Sequence, residues 1–175
     1  MKKIIIMVLA IAILATLAVG CTPAKENKVA DLKEIHEAVK ESLGEGYIPD
    51  RDMEKEELEN IVGVSTDDMA EYIAQAPMIS VNIDNFIAIK AKEGKADEIE
   101  KGLVDYKDYL IENSMQYPMN LAKVNAADVV RHGDYIFFLM LGKYDDRDDA
   151  REEEQLEFAQ AEVRKVEDVI AEFFK

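Results

Sequence analysis

The sequence predicts an α+β fold: a small, mostly antiparallel sheet with helices packed on it and a long carboxy-terminal helix. Three observations carry this. Apolar residues step by three and four at both ends of the chain, β-branched and aromatic runs occupy the middle, and Tyr135 to Leu141 is apolar without interruption.

Val29, Leu32, His36, Val39 and Leu43 form a helical stripe that Gly44 and Gly46 end. A second short helix is expected from Met53 to Val62, closed by Gly63. Ser65-Thr66-Asp67-Asp68 has the composition of an amino-terminal cap and predicts a helix through Ala74, stopped by Pro77. Phe86 to Lys92 reads as a strand ending at the Glu93-Gly94 turn. A helix from Lys95 to about Asn113 would place Ile99, Leu103, Tyr106 and Leu110 on one face. Ala126 to Arg131 and Tyr135 to Leu141 read as a hairpin turning at His132-Gly133-Asp134, with His132 facing solvent at its tip. A strand lacking alternation is covered on both faces. The β-α-β-β segment therefore suits a split βαβ arrangement in which the last strand lies between the other two. Leu156, Ala159, Val163, Val166, Ile170 and Phe173 then make a stripe that packs on a sheet or, less commonly, seams a coiled coil and a homodimer.

The first 21 residues carry an address. Lys2 and Lys3 precede an uncharged run from Ile4 to Val19 that ends in Gly20-Cys21. Leu17-Ala18-Val19-Gly20-Cys21 resembles the lipobox of bacterial lipoproteins, in which the chain is cut between Gly20 and Cys21 and a diacylglyceryl group is attached to the Cys21 sulfur. The expected organisation is a signal peptide at 1–20, a lipidated Cys and polar tether at 21–28, and one α+β domain at 29–175. Such a chain is held on the outer face of the cytoplasmic membrane, and two or three acyl chains make a stable anchor.

The 175 residues include 37 acids against 21 Lys and Arg, for a formal net charge of −16, and about −18 once the leading lysines are removed. A surface that acidic repels nucleic acid and anionic headgroups. The single Cys excludes an internal disulfide framework and a thiolate zinc site. No Gly-x-Ser-x-Gly, Walker or Gly-x-Gly-x-x-Gly pattern is present. His36 lies on an apolar stripe, where a packed histidine is the ordinary explanation. No catalytic constellation and no cofactor are expected. Asp50-Arg51-Asp52-Met53-Glu54 opens like a calcium loop, yet Lys55 replaces the required Gly and Ile61 the closing Glu. The acidic run 145–154 reads as a solvated helix beginning more readily than as a divalent-cation site. Tyr109, Tyr117, Pro118 and Met119 form a candidate binding patch.

Ala76-Pro77-Met78-Ile79, Asn82, Asp84 to Lys92, Gly94 to Ile99, Tyr117-Pro118 and Arg131 to Tyr135 form a set of short motifs spread over about residues 69–141. On these motifs the segment resembles the domain-of-unknown-function family numbered 4358, found chiefly in lipoproteins of Gram-positive Clostridia and relatives. Where the family's middle helix carries Arg and Gln, this chain has Tyr106 and Tyr109, and the connection after Tyr117 is shorter. The resemblance implies no activity, so no functional residue is carried over from it. The expected function is a lipid-anchored, non-enzymatic binding or accessory component of the cell envelope with a protein partner. The alternatives are a solute- or cation-binding lipoprotein and a hydrolase built on two carboxylates.

Overall fold

The computed structural model describes residues 29–79 and 81–175. Helix α1 (Leu32–Leu43) begins where Asp31 accepts a hydrogen bond from the Lys33 amide at 2.7 Å, satisfying one free donor of the first turn. Strand β1 (Arg51–Asp52) is followed by α2, one α turn (Lys55–Glu57) that widens into a π turn (Leu58–Val62). Strands β2 (Met69–Ala76) and β3 (Asn85–Ala91), helices α3 (Ala96–Glu112) and α4 (Leu121–Ala126), strands β4 (Asp128–His132) and β5 (Tyr135–Met140) and helix α5 (Glu152–Glu172) complete the order.

The sheet runs β1-β2-β3-β5-β4, and every neighbouring pair is antiparallel. Because β3 and β4 both run opposite to β5, they are parallel to each other with β5 between them. This is the split βαβ arrangement that the uninterrupted apolar run implied.

Alternate residues of the central strands feed two cores. Phe86, Ala88, Tyr135, Phe137 and Leu139 meet Leu32, Ile35 and Val39 of α1 and Val163, Val166 and Ile170 of α5. Ile87, Ile89, Ile136, Phe138 and Met140 meet Leu58 and Val62 of α2 and Ile99, Leu103 and Tyr106 of α3. Each fully buried Ile or Phe contributes ~1.5–3 kcal/mol, so a strand covered on both faces gains from every residue. Among the described residues, the buried side chains of both cores come from residues 30–170, with Phe173 and Phe174 packed against the second. From Ala159 to Ile170 the α5 stripe is buried against the sheet and α1, as the ordinary reading of its spacing expects, while Leu156 stays partly exposed. Arg131 on β4 reaches Asp97 and Glu100 of α3 at 2.6 and 2.7 Å, fastening that helix across the sheet edge.

Three sequence expectations are corrected. The helix expected from Ser65 through Ala74 is a single 3-10 turn (Thr66–Asp68) followed by β2. Pairing with β3 overrides the local preference, and a bulge between Met69 and Glu71 scrambles the period-two pattern that would have disclosed a strand. The strand expected from Ala126 begins at Asp128, because Leu121–Ala126 is helical. His132 belongs to β4 rather than to the turn, which is made by Gly133 (φ 63°) and Asp134. Its ring stacks on Phe174 at 4.5 Å, and its Nε2 is buried without a hydrogen-bond partner. The last turn of the chain covers a side chain that local pattern placed in solvent.

Candidate functional site

The end of the sheet where β3 starts and β5 stops brings together three connections: 77–84, 113–120 and 141–151. Asn85 is paired with Met140 there. Asp84 is 0% and Lys123 2% exposed, and they face each other. Lys123 Nζ donates to both carboxylate oxygens of Asp84 at 2.8 and 2.9 Å and to the Gly142 carbonyl at 2.6 Å. It also sits 3.8 Å from the centre of the Tyr144 ring. The Tyr144 hydroxyl donates to Asn120 Oδ1 at 3.0 Å, and Asn120 Nδ2 donates to the Val81 carbonyl at 3.1 Å.

All three ammonium protons are therefore engaged, which makes Lys123 a fastener of two of these connections, with Asn120 tying in the third, and leaves it no lone pair for nucleophilic work. Burial pushes the Asp84 carboxyl up and the Lys123 ammonium down, and their mutual attraction opposes both shifts. Burial, with the nearby Asp84 charge, pushes the Tyr144 hydroxyl up to about 12, so it stays a donor. Gly142 has φ 111°, and a Cβ there would overlap Glu162 Cβ. Only glycine lets its carbonyl turn toward Lys123 while α5 passes this closely.

Above this fastener the surface is apolar. Met78, Ile79 and Val81 on one connection, Met115, Tyr117 and Met119 on the next, and Leu121 at the start of α4 are all exposed. Between α4 and the first turns of α5 lies a groove of about 630 Å³ lined by Pro118, Met119, Leu121, Ala122, Asn125, Glu152, Glu153, Gln155 and Leu156. A smaller cavity of about 180 Å³ shares Met119, Ala122 and Gln155 with it and reaches Lys123 and Tyr144. Soluble surfaces seldom leave so many large apolar side chains in adjoining loops unless something covers them.

This end is remote from the start of the domain. The Ala30 amide donates to the Tyr135 hydroxyl at 3.1 Å, and that hydroxyl donates back to the Ala30 carbonyl at 2.9 Å. Tyr135 opens β5 and Met140 closes it, five steps of ~3.4 Å apart, or about 17 Å.

Of the sequence-predicted patch, Pro118 and Met119 line the groove, Tyr117 precedes them on the same 3-10 turn, and Tyr109 stands exposed near the end of α3. Neither Tyr109 nor Tyr117 lines one of the cavities described. Cys21 and Gly20 lie outside the described residues. Sequence reasoning missed Asp84, Asn120, Lys123 and Gly142. A lone Lys within Leu121-Ala122-Lys123-Val124 and an Asp beside a strand start were the available signals.

Elsewhere, His36 is packed: its ring stacks on Phe86 at 5.2 Å, and its Nε2 lies 2.9 Å from the Tyr47 hydroxyl and 3.0 Å from Gln75 Oε1. In the segment 50–54, Arg51 pairs with Glu57 at 2.8 Å and Asp52 accepts from Gln75 at 2.9 Å. In the acidic run, Asp145 pairs with Arg147 and Glu154 with Arg151, while Glu152 to Glu154 form the first turn of α5. Among the described residues, no three His, Cys, Asp or Glu side chains gather closely enough to hold a metal ion. No described helix is long and apolar enough to cross a membrane. One polar cavity of about 450 Å³ holds Asp128 and Glu167 together with Lys107 and Arg164. Burial, then the neighbouring Asp128 charge, raises the Glu167 carboxyl above its ordinary range.

A family model described as a domain of unknown function (DUF4358) matches residues 44–141. No curated protein and no solved structure matches the chain.

Proposed function

The chain belongs to this family of unknown function, and from its own residues we propose that it is a lipid-anchored extracytoplasmic binding or accessory protein of the cell envelope. Cys21 carries the lipid, residues 22–28 are the tether, and the domain offers its apolar end to another envelope component. The observation behind this reading is the placement of the exposed Met, Ile, Tyr and Leu side chains on adjoining loops. They lie at the other end of the sheet from the Ala30–Tyr135 contact. An apolar end set apart from the start of the described domain is suited to capturing a partner.

The test is to purify the natively lipidated protein in mild detergent and read its companions and its amino-terminal peptide by mass spectrometry. The expected result is a diacylated Cys21 peptide and a stoichiometric companion that is lost from the Met115→Asp/Tyr117→Asp variant. An unmodified Cys21, or the same companions with both proteins, would overturn the reading.

A second reading has one observation behind it, the Asp128–Glu167 pair in its polar cavity. A carboxyl that burial and a neighbouring acid hold above its ordinary value can act as general acid beside a second carboxyl. Turnover of a glycoside or ester by the isolated domain, lost in Glu167→Gln, would support it.

A further inference from the structure

The groove between α4 and α5 has a chemistry of its own. Met119, Leu121 and Ala122 form one wall and Leu156 the other, with Glu152 and Glu153 along the α5 rim. No Lys or Arg lines it. Of the cations nearby, Lys123 is paired with Asp84, Arg147 with Asp145 and Arg151 with Glu154, while Lys143 lines the smaller cavity beside the groove. Glu152 and Glu153 make no ion pair with any described residue. The result is an open apolar trough with a negative edge, walled in part by the adaptable Met119.

We propose that this groove receives a basic amphipathic helix of another envelope protein. Its apolar side chains at helical spacing would enter the trough, while its Lys or Arg residues meet Glu152 and Glu153. Charge decides among the other occupants. An anionic lipid surface is repelled by the rim, and a second copy of a chain with net charge −16 brings more acid to an acidic edge. The inference rests on the binding reading above and specifies the class of partner.

The chain has no Trp, so a Trp placed in a peptide reports alone. Residues 22–175, which contain both cores and every strand pairing, would be titrated with a helix-forming peptide of about 14 residues carrying Leu, Leu and Trp on one face and Lys on its flanks. A second peptide replaces each Lys with Glu. The Lys peptide is expected to bind with a blue shift, at least ~10-fold more tightly than the Glu peptide, and more weakly as salt rises from ~50 to ~500 mM. Glu152→Lys/Glu153→Lys, on exposed positions, should reverse the preference, and Leu156→Asp should abolish binding.

No binding of either peptide at ~1 mM, equal affinity for both, or indifference to the charge reversal would overturn the proposal. The two readings separate in the companion experiment. A companion retained by Leu156→Asp and by the charge reversal but lost from Met115→Asp/Tyr117→Asp sinks the groove assignment and leaves the binding reading standing. A Lys peptide that binds as expected while the lipidated protein has no companion does the reverse.

Discussion

Replacing Lys123 by Met removes the cation from a pair whose other member has no route to water. Asp84 is 0% exposed, and both of its carboxylate oxygens are bonded to Lys123 Nζ at 2.8 and 2.9 Å. The variant leaves that carboxylate buried and uncompensated and also deprives the Gly142 carbonyl of its donor. Breaking a buried pair from one side costs ~3–5 kcal/mol, a large share of the ~5–15 kcal/mol that holds a domain together. Asp84→Asn should cost less, about 1–3 kcal/mol. The Lys123 ammonium keeps Gly142 and the Tyr144 ring, and the adjoining cavity offers its long side chain a way toward solvent.

Urea unfolding of residues 22–175 measures both effects. With a slope of ~2 kcal/mol per molar, Lys123→Met should lower the midpoint by about 2 M. The double variant should cost less than the two singles added, by at least ~1.5 kcal/mol, since each removes the reason the other is costly. The sign of the pH effect is also determined. Without its cation, Asp84 in the folded state has a carboxyl raised above its unfolded value, so the folded state favours the proton. The penalty of Lys123→Met is then smallest below the unfolded value near ~4 and grows as pH rises. A cost under ~1 kcal/mol at neutral pH would refute the argument, because it would mean that water already reaches Asp84.

Two further outcomes follow from the same geometry. Gly142→Ala places a side chain at φ 111° against Glu162 Cβ, and a loss of at least ~2 kcal/mol is expected from strain and overlap together, read as a lower urea midpoint. His132 and His36 are both held below their ordinary value by burial, His36 with help from Lys40. Their unfolded forms bind protons first as pH falls, so stability is full above about 6.5 and declines below it. His132→Phe keeps the stack on Phe174, and its unfolding free energy should fall less steeply between about pH 6.5 and 5 than that of the unaltered chain. An unchanged slope would place the pH response elsewhere.

Much of this molecule was written in local pattern. The period of α1, α3 and α5 and the unbroken run Tyr135 to Leu141 are properties of near neighbours. Read as a strand, a run with no polar residue is covered on both faces, so the place of β5 between β3 and β4 followed from seven residues. Pro118 and Met119 belong, with Tyr109 and Tyr117, to the aromatic patch that the sequence marks near a helix end, and of these four Pro118 and Met119 line the groove. What needed the tertiary structure is what joins distant residues. β2 is a strand only because β3 lies beside it, and its bulge hides the alternation. Lys123 and Asp84 are 39 residues apart, and neither has a reason to be buried until the other arrives. His132 is covered by Phe174 from the last turn of the chain. Burial of a polar group depends on a partner supplied by another element, and a single sequence records the group without its partner.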